Sequence, residues 1–402
     1  MAISDHPRRA AIDLLDGRFY ADEPHEHFDW MREHAPVYWD EGSQLWGLTL
    51  HEDIMFASRN PAIFSNAEGM RPEYPAVDMM ICMDDPHHKG RRNLVNRGFT
   101  KNRVEALEPK VRAVCGELID AALARGRFDF VKELAAPLPM IMIGDMLGVP
   151  PERRDDLLRW SDDMMKGMTG LKYLTESASD AMMKAGEEYR AYVLETIAAR
   201  RADPSIDDLM GILTHAEVEG QRLDEEAISQ ESLLILIGGD ETTRHVISGG
   251  MYALLENPEQ LDALRADPSK LPQAIEEMLR WVSPIKNMSR TLTEDYELRG
   301  QTLERGDKAL LLYPSGNRDS RVFARPHTFD ISREPNEHVA FGGYGAHFCL
   351  GASLARLELR VMFEELLARV GRFSLVDAER PAERPANFVV GFEEMWVEAA
   401  AA

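Results

Sequence analysis

The chain has 402 residues, 44% of them hydrophobic, which is enough to bury a large core. Its 46 basic and 69 acidic residues leave a net charge of −23, so nucleic acid and anionic membrane are repelled and excluded as natural partners. The three cysteines, Cys82, Cys115 and Cys349, form no Cys-x-x-Cys pair; this argues against a four-ligand zinc or iron–sulfur site and fits a reducing cytosol. Residues 1–15 carry Asp5, Arg8, Arg9 and Asp13 without an apolar stretch of signal-peptide length, and the densest apolar run, 233–237, is too short to span a bilayer. A cytoplasmic protein with no membrane anchor is expected.

Helical periodicity dominates, and neither a repeat nor a linker divides the chain, so 1–402 reads as a single domain. Residues 36–50 alternate in part through Val37, Trp39, Leu45, Gly47 and Thr49, as strands do. Asp84-Asp85-Pro86 opens a helix that places His88 and Arg92 on one face. Residues 107–124 read as an amphipathic helix presenting Leu107, Val111, Val114, Leu118 and Ala121, and 209–213 and 261–264 as shorter ones. Residues 229–255 read as one long helix, buried over its first half. Gly238-Gly239-Asp240-Glu241-Thr242-Thr243 interrupts it, since paired glycines and an acid–hydroxyl pair cost helix propensity and mark a functional kink. Residues 274–281 are helical and align Glu277 with Arg280 as a charge-assisted pair. Breaks at Pro284 and Arg299-Gly300 separate short strand signals at 308–312 and 388–390. Residues 350–370 form a last helix, with Leu354, Leu357, Val361, Leu366 and Leu367 facing a core.

The most informative segment is Phe341-Gly342-Gly343-Tyr344-Gly345-Ala346-His347-Phe348-Cys349-Leu350-Gly351. Its glycines permit unusual backbone angles and close approach to a flat ligand. The helix start beside the sulfur favours thiolate, the form that binds iron. The segment resembles the haem-binding signature of cytochromes P450. Gly343, Gly345, His347, Cys349 and Gly351 match in register, whereas Phe341 lies one residue farther from the cysteine than usual, with Gly342 inserted. The resemblance implies a mainly α chain with the cytochrome P450 fold: a large helical body with small β-sheets. Haem b would lie between the long central helix and the cysteine-loop helix, its iron ligated by Cys349.

Further motifs resemble the same family in order, from about residue 36 to the C-terminus. Glu277 and Arg280 resemble its Glu-x-x-Arg motif, with Arg333 as the third, structural partner. Glu241 and Thr242 resemble its catalytic acid–alcohol pair, a proton relay and a hydrogen-bonding hydroxyl on the oxygen-binding side. His88, Arg92, Arg290 and His347 resemble its contacts to the haem propionates. Segments that line the family's substrate pocket supply Met79, Met80, Ile235, Gly238, Ile285, Met288, Phe388 and Val389, together with Met164, Met165, Met168 and Leu171. This methionine-rich set suits a bulky apolar ligand.

Residues 79–86, 234–245, 276–281 and 286–288 are similar to actinobacterial cytochromes P450 that hydroxylate the terminal side-chain carbon of cholesterol and cholest-4-en-3-one. The resemblance implies a haem-thiolate monooxygenase acting on a steroid or a similar branched lipid. With no flavin or iron–sulfur domain in the chain, electrons are expected from a ferredoxin and its ferredoxin reductase, docking near Arg356 or Arg360. The open alternatives are a hydroxylase of a terpenoid, fatty acid or polyketide, a peroxygenase, and a non-catalytic haem-binding sensor that would not need Glu241 and Thr242.

Overall fold

The computed structural model describes residues 6–218, 220–377 and 379–402; the first five residues of the N-terminal stretch, Asp5 among them, lie outside that set. Helices build the body, and small sheets flank it. The longest helix, Glu225–Glu256, is capped by Asp224, whose carboxylate accepts from the Ala227 N–H at 2.8 Å. It packs against Pro137–Met146, Leu271–Val282 and Ala352–Arg369. Burial continues through both halves of this helix, not the first alone. Its second half enters the largest hydrophobic cluster, where Val246, Ile247, Met251 and Leu254 join Met278 and Leu359.

The expected interruption at 238–243 is absent, and the helix runs unbroken. The glycine pair serves space instead. A Cβ on Gly239 would sit 2.8 Å from the Ile143 side chain, whereas Gly238 faces open space in a cavity. Close helix packing on one side and an open face on the other explain the two residues. The helix Glu108–Arg125 buries Val111, Cys115, Ile119 and Ala122, leaving Ala121 exposed. The sequence holds two overlapping apolar stripes there, and packing against Ala352–Arg369 selects the one through Cys115.

The five-stranded sheet runs in the order Val37–Asp40, Leu45–Leu48, Lys308–Leu312, Asn287–Leu292, Phe64–Ser65. Its first hairpin pairs Trp39 with Trp46, ring centroids 4.8 Å apart. Lys308–Leu312 then sets Leu311 opposite Met288 and Ala309 opposite Arg290. The two-residue period turns Met288 and Arg290 to one face, and both reach the same cavity. Arg299 and Gly300, with φ of 54° and 75°, make the tight turn between Tyr296–Leu298 and Gln301–Leu303. Residues 388–390 form no strand. A single bridge joins Val389 to Ile285, and Phe388 and Val389 pack with Met165 in a small apolar cluster.

The pair Glu277–Arg280 lies wholly inside the protein. Glu277 accepts from Arg280 Nε at 2.8 Å and Nη2 at 2.7 Å, and from Arg333 Nε at 2.9 Å. Arg280 and Arg333 in turn donate to the carbonyls of Asn317, Pro326, Ala324 and Thr328. These bonds fasten the irregular chain before the cysteine loop to the helix Leu271–Val282. Asn336, which sequence reasoning passed over, adds a further donor to Glu277 at 3.2 Å. Among the described residues no helix is long and apolar enough to cross a membrane.

Candidate functional site

A cavity of about 250 Å³ for the centres of water-sized molecules lies between the long helix and the start of Ala352–Arg369. Cys349 opens onto it from the proximal side, and Gly238 and Thr242 face it from the long helix. The cysteine loop is held by its own backbone: Cys349 N–H donates to the Phe341 carbonyl at 3.0 Å, and Phe348 N–H to Gly345 at 3.1 Å. Arg92 donates to the Phe348 carbonyl from across the cavity floor. Gly342 takes a φ of 90°, so the inserted residue sits where a side chain would be strained. Gly342 and Gly351 line the cavity, whereas Gly345 packs on another element: a Cβ there would lie 1.8 Å from the Ser58 carbonyl oxygen. Burial pushes the Cys349 thiol up, while the N–H groups of Gly351 and Ala352 and the guanidinium groups of Arg92 and Arg356 oppose it. The favourable helix start is real, then, but in the protein alone it is outweighed by burial.

His88, Arg92, Arg290 and His347 converge on the same cavity. The two imidazole rings lie 4.0 Å apart, and His88 is turned by Asp85 Oδ1 at 3.2 Å. Burial, then His88, Arg290 and Arg92, hold His347 down at about 2. Burial also lowers Arg92 and Arg290, neither of which has an ion pair among the described residues. His88 Nε2 is buried without a hydrogen-bond partner. Two guanidinium groups without an ion pair, beside two imidazoles of which only His88 meets a carboxylate, form a donor set suited to two further carboxylates. A porphyrin bearing two propionates and an iron above Cys349 fits these residues.

On the opposite wall, the Thr242 hydroxyl donates back to the Gly238 carbonyl at 2.9 Å. Glu241 turns away from the cavity, fully buried, with Arg244 Nη2 at 2.9 Å and the Ser161 hydroxyl at 3.4 Å. Arg244 continues to Asp162 at 3.0 Å, a side chain one-third exposed. Burial pushes the Glu241 carboxyl up, opposed by Arg244 and Arg384. Beside it, burial and then Glu241 push Asp240 up as well.

All eight expected pocket residues line the cavity: Met79, Met80, Ile235, Gly238, Ile285, Met288, Phe388 and Val389. Met164, Met165, Met168 and Leu171 do not. Met165 and Met168 pack behind Phe388, Met164 joins a separate core cluster, and Leu171 is exposed. Asn66, Ile81, Tyr313 and Glu358 are further lining residues that no motif marked. Arg356 and Arg360, considered for partner docking, are already paired, Arg356 with Glu276 at 2.6 Å and Arg360 with Glu108 at 2.6 Å.

Known proteins resemble this chain along nearly its whole length. The Cytochrome P450 family model matches residues 22–389. A steroid C26-monooxygenase of Mycobacterium tuberculosis is 51% identical over 387 residues, covering 96% of each chain. A methyl-branched lipid omega-hydroxylase of the same species is 38% identical, covering 95% of this chain and 90% of its own. Among solved structures, a Mycobacterium marinum cytochrome P450 in complex with pseudoionone superposes with a TM-score of 0.90 at 32% identity, covering 98% and 100%. A Bacillus megaterium cytochrome P450 in complex with testosterone gives 0.86 at 34% identity, covering 94% and 97%. The chain therefore belongs to the cytochrome P450 family. It is a monooxygenase that binds haem b, receives electrons from partner proteins and acts on an apolar substrate.

Proposed function

We propose that this monooxygenase hydroxylates the terminal carbon of a branched apolar side chain, that of a steroid such as cholest-4-en-3-one or of a similar methyl-branched lipid. The observation that carries this reading is the cavity wall: Met79, Met80, Ile235, Ile285, Met288, Phe388 and Val389 make it apolar and adaptable, with Thr242 as a hydroxyl on the long-helix side opposite Cys349. The relatives acting on steroid and branched-lipid chain ends support it across nearly the full length.

In this reading Cys349 ligates the haem iron, and His88, Arg92, Arg290 and His347 hold the propionates. The group held there would supply dioxygen activation, with one oxygen atom entering the substrate and the other leaving as water at the expense of two electrons and two protons. Thr242, on the cavity face, offers its hydroxyl to the oxygen side. Glu241 would pass protons inward by swinging from Arg244 toward Thr242, its buried carboxyl being able to carry one. The apolar wall excludes bulk water from the reacting carbon. Glu277, Arg280 and Arg333 keep the cysteine loop in place. The electron donor is proposed to be a ferredoxin reduced by its reductase. A cytoplasmic setting is part of this reading and is supported by the sparse, unpaired cysteines.

The test is a set of spectral titrations on haem-loaded protein with cholest-4-en-3-one, a methyl-branched fatty acid, a terpene and a linear fatty acid. The sterol or branched lipid is expected to shift the Soret band from low to high spin at the lowest concentration. A shift with the terpene or linear acid and none with either expected ligand overturns the substrate assignment.

A further inference from the structure

Glu231 is a buried acid that neither the cysteine loop nor the acid–alcohol pair uses. It lies on the long helix, wholly inaccessible, on a buried face with Ile228, Ser232 and Ile235. Its Oε1 accepts from the Met80 backbone N–H at 2.7 Å and from Arg91 Nη1 at 3.1 Å. Arg91 also reaches Asp78 Oδ1 at 3.3 Å. Oε2 has no hydrogen-bond partner. Burying a carboxylate is costly unless its bonds are needed, and here they tie three elements together. Met80 and its neighbours Met79 and Ile81 line the substrate cavity, while Arg91 sits on the helix His87–Val95, which carries His88 and Arg92.

We propose that Glu231 is a positioning residue for substrate specificity: through Met80 N–H and Arg91 it clamps the segment 78–82 against the long helix and so fixes one wall of the substrate cavity. The proposal rests on the reading that this cavity receives the substrate. The side chain does not line the cavity; it acts on the segment that does. A loosened segment would let Met79 and Met80 swing, so a bulky ligand would lose packing while a ligand too small to reach the wall would not.

The experiment compares two iron-binding probes on haem-loaded protein, bulky trityl-imidazole and imidazole itself, by optical titration. Neither depends on the natural substrate, so a failed sterol titration and a failed clamp are told apart. Glu231→Met removes both bonds while keeping the volume, and is expected to weaken trityl-imidazole about tenfold with imidazole unchanged. Glu231→Gln keeps an acceptor for Met80 N–H but loses the ion pair, and is expected to weaken the bulky probe about threefold. The ratio of the two affinities also separates a wall effect from general damage, which would move both probes alike. If Glu231→Met fails to take up haem, Glu231→Gln decides alone. An unchanged ratio, or equal weakening of both probes, overturns the proposal.

Discussion

Replacing Glu277 by glutamine tests whether the buried ion cluster secures the fold around the cysteine loop. Glu277 collects five hydrogen bonds, two from Arg280 and one each from Arg333, Asn336 and the Asp330 N–H. An amide keeps one acceptor oxygen but turns an NH2 group toward guanidinium donors and leaves two buried cations uncompensated. Removing one partner of a buried ion pair costs about 3–5 kcal/mol, a large share of a total near 5–15 kcal/mol. The expected result is a marked drop in the urea midpoint, followed by the Soret band and tryptophan fluorescence, with haem lost at lower urea than in the native protein. Asn336→Ala, which removes one neutral donor, should cost only about 1 kcal/mol. A Glu277→Gln loss below about 1 kcal/mol would refute the reasoning, because that is the scale of a solvated surface pair.

Cys349→Ser is expected to abolish the long-wavelength Soret band of the reduced carbon monoxide complex, measured on freshly haem-loaded protein; a retained band would exclude Cys349 as ligand. Thr242→Ala should lower product per electron by about tenfold or more and raise hydrogen peroxide release correspondingly; unchanged coupling would remove Thr242 from the oxygen side. Burial alone would raise Glu276, yet its hydrogen bonds from Arg356 and His338 hold it down at about 2. A lowered carboxylate stabilises the fold above its unfolded value, about 4.3, and that contribution fades as pH falls toward 2. Glu276→Gln should therefore lower the urea midpoint at neutral pH, with the gap to the native protein narrowing between about pH 5 and about pH 3; a gap that widens on acidification would contradict the sign.

Much of the site could be read in the sequence because the chemistry is local. Cys349, His347 and the glycines lie within one loop, His88 and Arg92 one helical turn apart, and Glu277 and Arg280 likewise. The family resemblance supplied what spacing could not, such as Arg290, which reaches the cavity only through the pairing of Asn287–Leu292 with Lys308–Leu312. Reasoning failed where tertiary packing chose between local options. Residues 238–239 read as a helix break, but the second glycine answers to Ile143, on another helix. On Glu108–Arg125 the sequence offers two overlapping apolar stripes, and packing against Ala352–Arg369 buries the one through Cys115 rather than the one through Val114 and Leu118. Glu231 carried little signal, lying among Ser229, Gln230 and Ser232, and its partners Met80 and Arg91 are far away along the chain.

The contact between Gly345 and Ser58 ties two regions that sequence keeps far apart. The loop carrying Cys349 is moulded on the end of the helix His51–Arg59, so the sulfur's coordinates are inherited from the N-terminal part of the chain. Engineering the cysteine loop alone, for instance by transplanting a shorter version without Gly342, would press a foreign contour onto an unaltered mould. The helix end at Ser58 has to travel with the loop in any such graft.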